Sequence, residues 1–238
     1  MSCNRVDRLV EKMAHSNALE CEYVGGLASY PSKQYKRYKK LSRIASPDKL
    51  IELTDHDSAA VAIYASHALI NRELIAPDLL LSKFLHEDKY ASTSCGCLLS
   101  SSSASWEVYM EYRNLHLEWL DVDTGEYVIH DTPELFKMDS IVLYANKPGS
   151  FLYYVVFQDR KFPEKFNERI LELAFNEQNY YALTYVFNHL RKDHTDLLFD
   201  TLYLLLEKKS TEHYQKTEIE KMLKNLDENF GKDQYHFN

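Results

Sequence analysis

The stretch "SPDKLIELTDHDSAAVAIYASHALINREL", residues 46–74, decides the fold. Ser46 can cap a helix and Pro47 can occupy its first position, and together they mark a helix start. After the break "TDHDS", Asp57 or Ser58 can cap a second helix. The stretch therefore predicts two helices joined by a short turn. The apolar residues of the second helix recur at the helical period of three and four: Val61, Tyr64, Ala65, Ala68 and Leu69.

This pair of helices resembles a HEAT repeat. In that family one helix ends near an aspartate, and the next carries a valine, spaced alanines and a leucine. Ala62 stands where the family usually has an arginine. The resemblance implies antiparallel helical hairpins that stack into a short α-solenoid. The matching residues are Asp57, Val61, Ala65, Ala68 and Leu69.

Approximate copies of this unit follow in the chain. A shift of 31 residues places Asp57 on Asp88. The same shift predicts the second helix of a repeat over "STSCGCLLSSSSASW", residues 92–106, with Cys95 facing inward. Because serine and glycine propagate helices poorly, we expect that helix to be short or broken. A third copy is "RILELAFNEQNYYALTYVFNHL", residues 169–190.

The middle of the chain departs from the helical pattern. The segment "LHLEWLDVDTGEYVIHD", residues 115–131, alternates around Asp123-Thr124-Gly125 and predicts a β-hairpin turn. A helix resumes with Thr132 as its cap. We therefore predict a mainly α protein, a short HEAT-like α-solenoid with an irregular or small β-hairpin insertion. Its parts are a helical lobe over residues 1–90, the insertion over 91–131 and a second helical lobe over 132–238.

The composition narrows the class of partner. A net charge of -8 disfavours wholesale phosphate binding and therefore a nucleic-acid partner. No apolar run approaches the roughly 20 residues that a membrane-spanning helix needs, so we predict no membrane span. The cysteines are too few for a disulfide scaffold, which favours reduced thiols and a cytoplasmic location. They are Cys3, Cys21, Cys95 and Cys97.

Motifs for catalysis, cofactors and metals do not occur. Cys95 and Cys97 are separated by one residue, whereas structural zinc sites space their cysteines about two to four apart, so zinc held with His86 is disfavoured. The serine run lacks the elbow of a serine nucleophile. The glycines form neither a phosphate loop nor a dinucleotide fingerprint. We therefore predict no catalytic residue, no cofactor and no metal ligand.

The strongest electrostatic feature is "KQYKRYKKLSR", residues 33–43, which carries six positive charges and no negative one. Tyr35, Tyr38 and Leu41 recur every third residue, which predicts a helix with these side chains in the core and the cations in solvent. An acidic protein partner is compatible with such a helix. The candidate partner-binding residues are Lys36, Arg37 and Lys40.

These features favour a non-enzymatic helical-repeat protein that binds another protein. It would act as a scaffold or adaptor, with an inhibitor or immunity-type protein as a narrower version. Two alternatives stay open. One is an enzyme with a dispersed site, for example a hydrolase that uses Asp55, His56 and Asp57 or the cysteine–serine stretch. The other is a nucleic-acid-binding protein that uses residues 33–43.

Overall fold

The computed structural model describes residues 5–121, 123–146, 148–158, 160–209 and 211–230. The predicted class is confirmed: the protein is mainly helical with a small β part. The chain divides into two compact units, Met1–Pro148 and Gly149–Asn238. Residues 91–131 lie within the first unit.

The first unit contains α1–α7 in its described part, and the central pair, α3 and α4, is the predicted helical hairpin. The side chain of Ser46 accepts a hydrogen bond from the backbone N–H of Lys49, and that of Ser58 from Val61. Both helices therefore begin at the residues that the cap pattern indicates. The helices span Arg5–Ser16, Lys33–Ile44, Pro47–Leu53, Ala59–Asn71, Pro77–His86, Ala104–Leu115 and Pro133–Tyr144.

Helix α4 is the centre of the first unit. Every residue from Ala59 to Ile70 is buried. A surface helix buries one face only, whereas a helix that is apolar on all sides lies in a core. Helices α1, α2, α3 and α6 and the sheet pack around α4. Its sequence, rich in alanine, allows these neighbours to approach closely.

A four-stranded sheet lies beside α4, in the order β2-β1-β3-β4. Strand β1 pairs in parallel with β3, and β3 and β4 form an antiparallel hairpin. The predicted repeat helix over residues 92–106 is therefore wrong. Serine side chains compete for backbone hydrogen bonds and disfavour helix, and the turn residue Gly96 has a φ of 56°. The strands are Ala18–Val24, Tyr30–Pro31, Tyr90–Gly96 and Leu98–Ser103.

A second hairpin follows α6, as the alternating pattern predicts. It consists of β5 (Leu117–Asp121) and β6 (Glu126–Ile129). Gly125 adopts a φ of 76°, in the left-handed region that glycine tolerates best. The Asp121 carboxylate accepts hydrogen bonds from the backbone N–H groups of Asp123 (2.8 Å) and Thr124 (3.3 Å). These bonds hold the turn and lower the pKa of the Asp121 carboxyl.

The second unit is helical throughout its described part. Helix α9 continues directly into a π-helix over Glu172–Asn176, and apolar residues of each α-helix form the core. In the parts of the chain that the structure describes, no helix of either unit combines the length and apolar character needed to cross a membrane. The helices α8–α12 span Ser150–Phe157, Asn167–Leu171, Tyr180–His189, Thr195–Glu207 and His213–Phe230.

Candidate functional site

The candidate site is the solvent-facing side of α2. Ser32 caps this helix, since its side chain accepts a hydrogen bond from the backbone N–H of Tyr35 at 2.8 Å. Gln34, Tyr38 and Leu41 are buried and mark the inner side. The cations lie on the remaining faces, along a helix of 12 residues that is about 18 Å long. They are Lys33, Lys36, Arg37, Lys39, Lys40 and Arg43.

The predicted partner-binding residues differ in exposure. Lys36 is exposed, whereas Arg37 and Lys40 are half-buried. Arg37 Nη1 donates to Gln34 Oε1 at 3.1 Å and to the backbone oxygen of Lys12 at 3.5 Å. Arg37 therefore points towards α1, and Lys36 has the least hindered position of the three.

The six cations of α2 have no ion-pair partner among the residues that the structure describes. Other lysines of the same unit do form pairs: Lys83 Nζ lies 2.6 Å from Asp55 Oδ1. Removing the six charges of α2 from the net charge of -8 leaves -14 for the rest of the chain. A helix whose cations form no ion pair with any described residue therefore lies on an otherwise acidic protein.

The cysteine–serine stretch contains a disulfide bond. Cys95 is bonded to Cys21, which joins β3 to β1 across 74 residues of sequence. The predictions of reduced thiols and of an inward-facing Cys95 are therefore wrong, because the parallel strand pairing brings these two exposed cysteines together. Among the described cysteines Cys97 is free and exposed. No group of His, Cys, Asp or Glu side chains in the described ranges is arranged to hold a metal ion.

The residues of "TDHDS" form the turn between α3 and α4. Asp55 forms the ion pair with Lys83, and His56 Nδ1 accepts a hydrogen bond from the backbone N–H of Ser58 at 2.9 Å. Asp57 is exposed. These contacts hold the start of α4 in place. A dispersed hydrolase site could draw on this turn or on the cysteine–serine stretch, but among the described residues the side chains of His56 and Cys95 do not contact each other.

Sequence reasoning missed a polar cluster on the inner side of α2. His67 of α4 is 8% exposed and lies between Glu107 and Glu111 of α6. Its Nε2 is 3.7 Å from Glu107 Oε2 and its Nδ1 is 3.6 Å from Glu111 Oε2, so neither contact is a hydrogen bond. Tyr38 and Tyr64 stack with ring centroids 4.8 Å apart. Both rings meet His67 edge-on, at 6.3 and 6.4 Å.

This cluster fixes α2 against the unit. Asn71 Nδ2 donates to the Tyr38 hydroxyl at 3.3 Å and to Glu111. The Tyr64 hydroxyl accepts from the backbone N–H of Glu20 at 2.7 Å. Burial raises the pKa of the Tyr38 and Tyr64 hydroxyls above the usual value, and the Glu111 carboxylate adds to this effect at Tyr38. Both tyrosines therefore stay neutral at physiological pH and connect α2, α4, α6 and β1.

The signal for this cluster is present in the sequence but is not specific. Glu107 and Glu111 are four residues apart, which places them on one face of a helix. Their partner His67, however, lies in the most apolar helix of the unit.

Comparison of the chain with protein-family models, with curated proteins and with solved structures finds no match.

Proposed function

We propose that this chain is a non-enzymatic protein that binds an acidic segment of another protein through the exposed side of α2. The observation that carries the proposal is the absence of ion pairs for six cations of one helix, within the described residues of an acidic chain. Complementary charge between partners speeds association and selects among partners. Cations that form no ion pair within the chain remain available to pair with an acidic partner.

The inner side of α2 supports this role. Tyr38 stacks on Tyr64 and accepts a hydrogen bond from Asn71, and Gln34 Nε2 donates to the backbone oxygen of Met13 at 3.0 Å. These contacts fix the orientation of the helix before a partner arrives. A preorganised surface loses less conformational entropy on binding.

The HEAT-like part of the proposal rests on α3 and α4. Both helices begin at the predicted caps and pack on each other. Helical repeats present extended surfaces to other macromolecules, which fits a scaffold or adaptor, or an inhibitor or immunity-type protein. A cytoplasmic location is not part of the proposal, because disulfides such as Cys21–Cys95 are typical of oxidising compartments.

The test measures binding of a fluorescent oligoglutamate peptide by anisotropy. An extended strand rises about 3.4 Å per residue, so a peptide of about 12 glutamates is long enough to cover α2. The variant Lys36→Glu/Arg43→Glu reverses two exposed charges of the helix. We expect it to weaken binding by about tenfold or more, which corresponds to roughly 1.4 kcal/mol.

The matched control is Lys137→Glu/Lys209→Glu. Both lysines are exposed and lie outside α2, and this variant changes the net charge by the same amount. An equal loss of binding in the control would show that only the net charge matters and would refute the proposal. A duplex DNA of equal charge is the second probe. If DNA binds more tightly than the peptide and its affinity falls steeply with salt, nucleic-acid binding replaces the proposal.

A further inference from the structure

Arg113 of α6 is a buried cation that forms no ion pair and no side-chain hydrogen bond with the residues that the structure describes. The residue is 4% exposed, and its Nε and Nη2 atoms are buried and have no hydrogen-bond partner. The carboxylates in the described part of the chain form no ion pair with it. Arginine stays charged at every physiological pH, so the site cannot become neutral by losing a proton. Burying an unpaired charge costs several kcal/mol.

The two unpartnered atoms belong to the same edge of the guanidinium. The N–H bond of Nε and one N–H bond of Nη2 are parallel in the planar group, and together they form a two-pronged donor. Such a fork matches the two oxygens of one carboxylate, and bidentate pairs of this kind are the strong charge-assisted hydrogen bonds. The chemistry of the site therefore favours an anion with two adjacent oxygens.

Two aromatic side chains lie next to this guanidinium and reach the solvent-exposed surface. The guanidinium carbon of Arg113 lies 5.8 Å from the centroid of the Tyr127 ring on β6. Trp119 is the cross-strand partner of Tyr127 on β5, and the centroids of their rings are 5.5 Å apart. Trp119 is 54% exposed. A ligand that places its charge on Arg113 can therefore cover the indole with an apolar group.

We propose that Arg113 binds the carboxylate of a small organic acid whose apolar part contacts Tyr127 and Trp119. Because both donor atoms are buried, the side chains that cover them have to move to admit the carboxylate. The site is separate from the cationic side of α2 and does not depend on the proposed function.

Fluorescence of Trp119 tests the proposal directly. The protein has two tryptophans, so Trp106→Phe leaves Trp119 as the only indole reporter. The probe is 3-phenylpropionate, and its uncharged amide is the matched control. We expect a saturable change in emission with the acid and at least tenfold weaker binding of the amide. An equal response to both would overturn the proposal, because the carboxylate would then contribute nothing.

Substitution of Arg113 provides the second arm in the same background. Arg113→Lys keeps the charge but loses the fork, and Arg113→Met removes the charge. We expect both variants to bind 3-phenylpropionate at least tenfold more weakly. Binding at the original affinity in either one would overturn the proposal. Inorganic phosphate is the third probe, and a response as strong as that to the organic acid would overturn the assignment of the ligand class.

Urea unfolding without ligand keeps the proposal testable if binding is weak. Removing an unpaired buried charge and replacing it with an apolar side chain is neutral or stabilising. We therefore expect Arg113→Met to unfold at the same urea concentration as the parent protein or at a higher one. A large decrease in the midpoint would show that Arg113 has a structural partner, and the binding assignment would be wrong.

Discussion

The disulfide between Cys21 and Cys95 closes a loop of 74 residues within the first unit. In the chain-entropy account, a cross-link removes entropy from the unfolded chain as about 2.1 + 1.5R ln n cal/mol/K, where n is the loop length. For this loop the formula predicts a stabilisation of about 4.4 kcal/mol at 25 °C. We therefore expect Cys21→Ser/Cys95→Ser to lower the free energy of unfolding by up to that amount.

The unit should still fold without this bond. Backbone hydrogen bonds between β1 and β3, in the register that pairs Ala18 with Ser92 and Leu19 with Thr93, remain in the variant. A stability of about 5–15 kcal/mol is usual for folded domains, so a loss of this size weakens the unit and leaves it folded. With a urea m-value of about 2 kcal/mol/M, the unfolding midpoint should fall by about 2 M.

Tryptophan fluorescence isolates the relevant transition. Trp106 and Trp119 are the two tryptophans of the chain, and both lie in the first unit. Unfolding of the second unit therefore does not contribute to the signal. The wild type with a dithiol reductant should show the same midpoint as the double-serine variant.

The control is Cys97→Ser, which removes the exposed free thiol and leaves the disulfide intact. It should unfold at the wild-type midpoint. The reasoning is refuted if the double-serine variant shifts by less than about 0.5 M, since the cross-link would then not restrict the unfolded chain as the entropy formula requires. An equal shift in the Cys97→Ser variant would also refute it.

Two further predictions concern buried tyrosines of the first unit. Burial raises the folded-state pKa of Tyr38 and Tyr64 above the unfolded value of about 10, so stability is complete below that pH and is lost as the pH rises. At pH 11 the free energy of unfolding should be lower by about 1.4 kcal/mol for each tyrosine. The variant with Phe at both positions should lack this loss. If its free energy of unfolding in urea falls with pH as steeply as that of the wild type, the prediction is wrong. The Tyr109 hydroxyl donates to Asp139 Oδ1 at 2.6 Å, and both residues are fully buried. Tyr109→Phe should therefore cost about 1.5–3 kcal/mol and the half-buried control Tyr112→Phe about 0.5–1 kcal/mol, and equal costs in urea unfolding would contradict the difference.

The α3–α4 hairpin and the turn at Gly125 could be predicted because neighbouring residues determine them. A serine cap, a proline at the first position and an apolar residue every three or four positions define a helix without reference to the rest of the chain. The same applies to α2, whose cations and apolar stripe lie within one helix. Ser46, Ser58 and Thr132 all cap as their positions indicate.

The sheet could not be predicted because its central pairing is not local. Strands β1 and β3 are parallel and separated by α2–α5, so no nearby turn signals that they meet. The 31-residue shift aligned the serine run with the second helix of a repeat, but such an alignment compares positions and ignores propensity. Serine is a poor helix former, and residues 98–103 form strand β4 because they pair with β3.

The burial and contacts of the remaining polar groups depend on how the helices pack. Arg113 has the sequence context of an ordinary surface arginine, but it is buried in the folded unit, with the Tyr127 ring of the β5–β6 hairpin close to its guanidinium. His67 likewise becomes a partner of two glutamates only when α6 packs against α4. The four-residue spacing of Glu107 and Glu111 does not identify His67 as their neighbour, and no spacing in the sequence indicates the burial of Arg113.

The unpaired charges of this protein have different physical weight as indicators of function. An exposed cation such as Lys36 costs little without a partner, because ion pairs in solvent contribute only about 0–1 kcal/mol. The case for α2 therefore rests on the number and common sign of its charges on an acidic chain. His67 lies 3.7 Å from a carboxylate oxygen of Glu107 and 3.6 Å from one of Glu111, so its burial requires no ligand. Arg113 forms no ion pair with any described residue, and a permanent charge that is buried without an ion pair is costly to retain. Loss of peptide binding in the α2 variant together with unchanged 3-phenylpropionate binding would show that the two surfaces act independently.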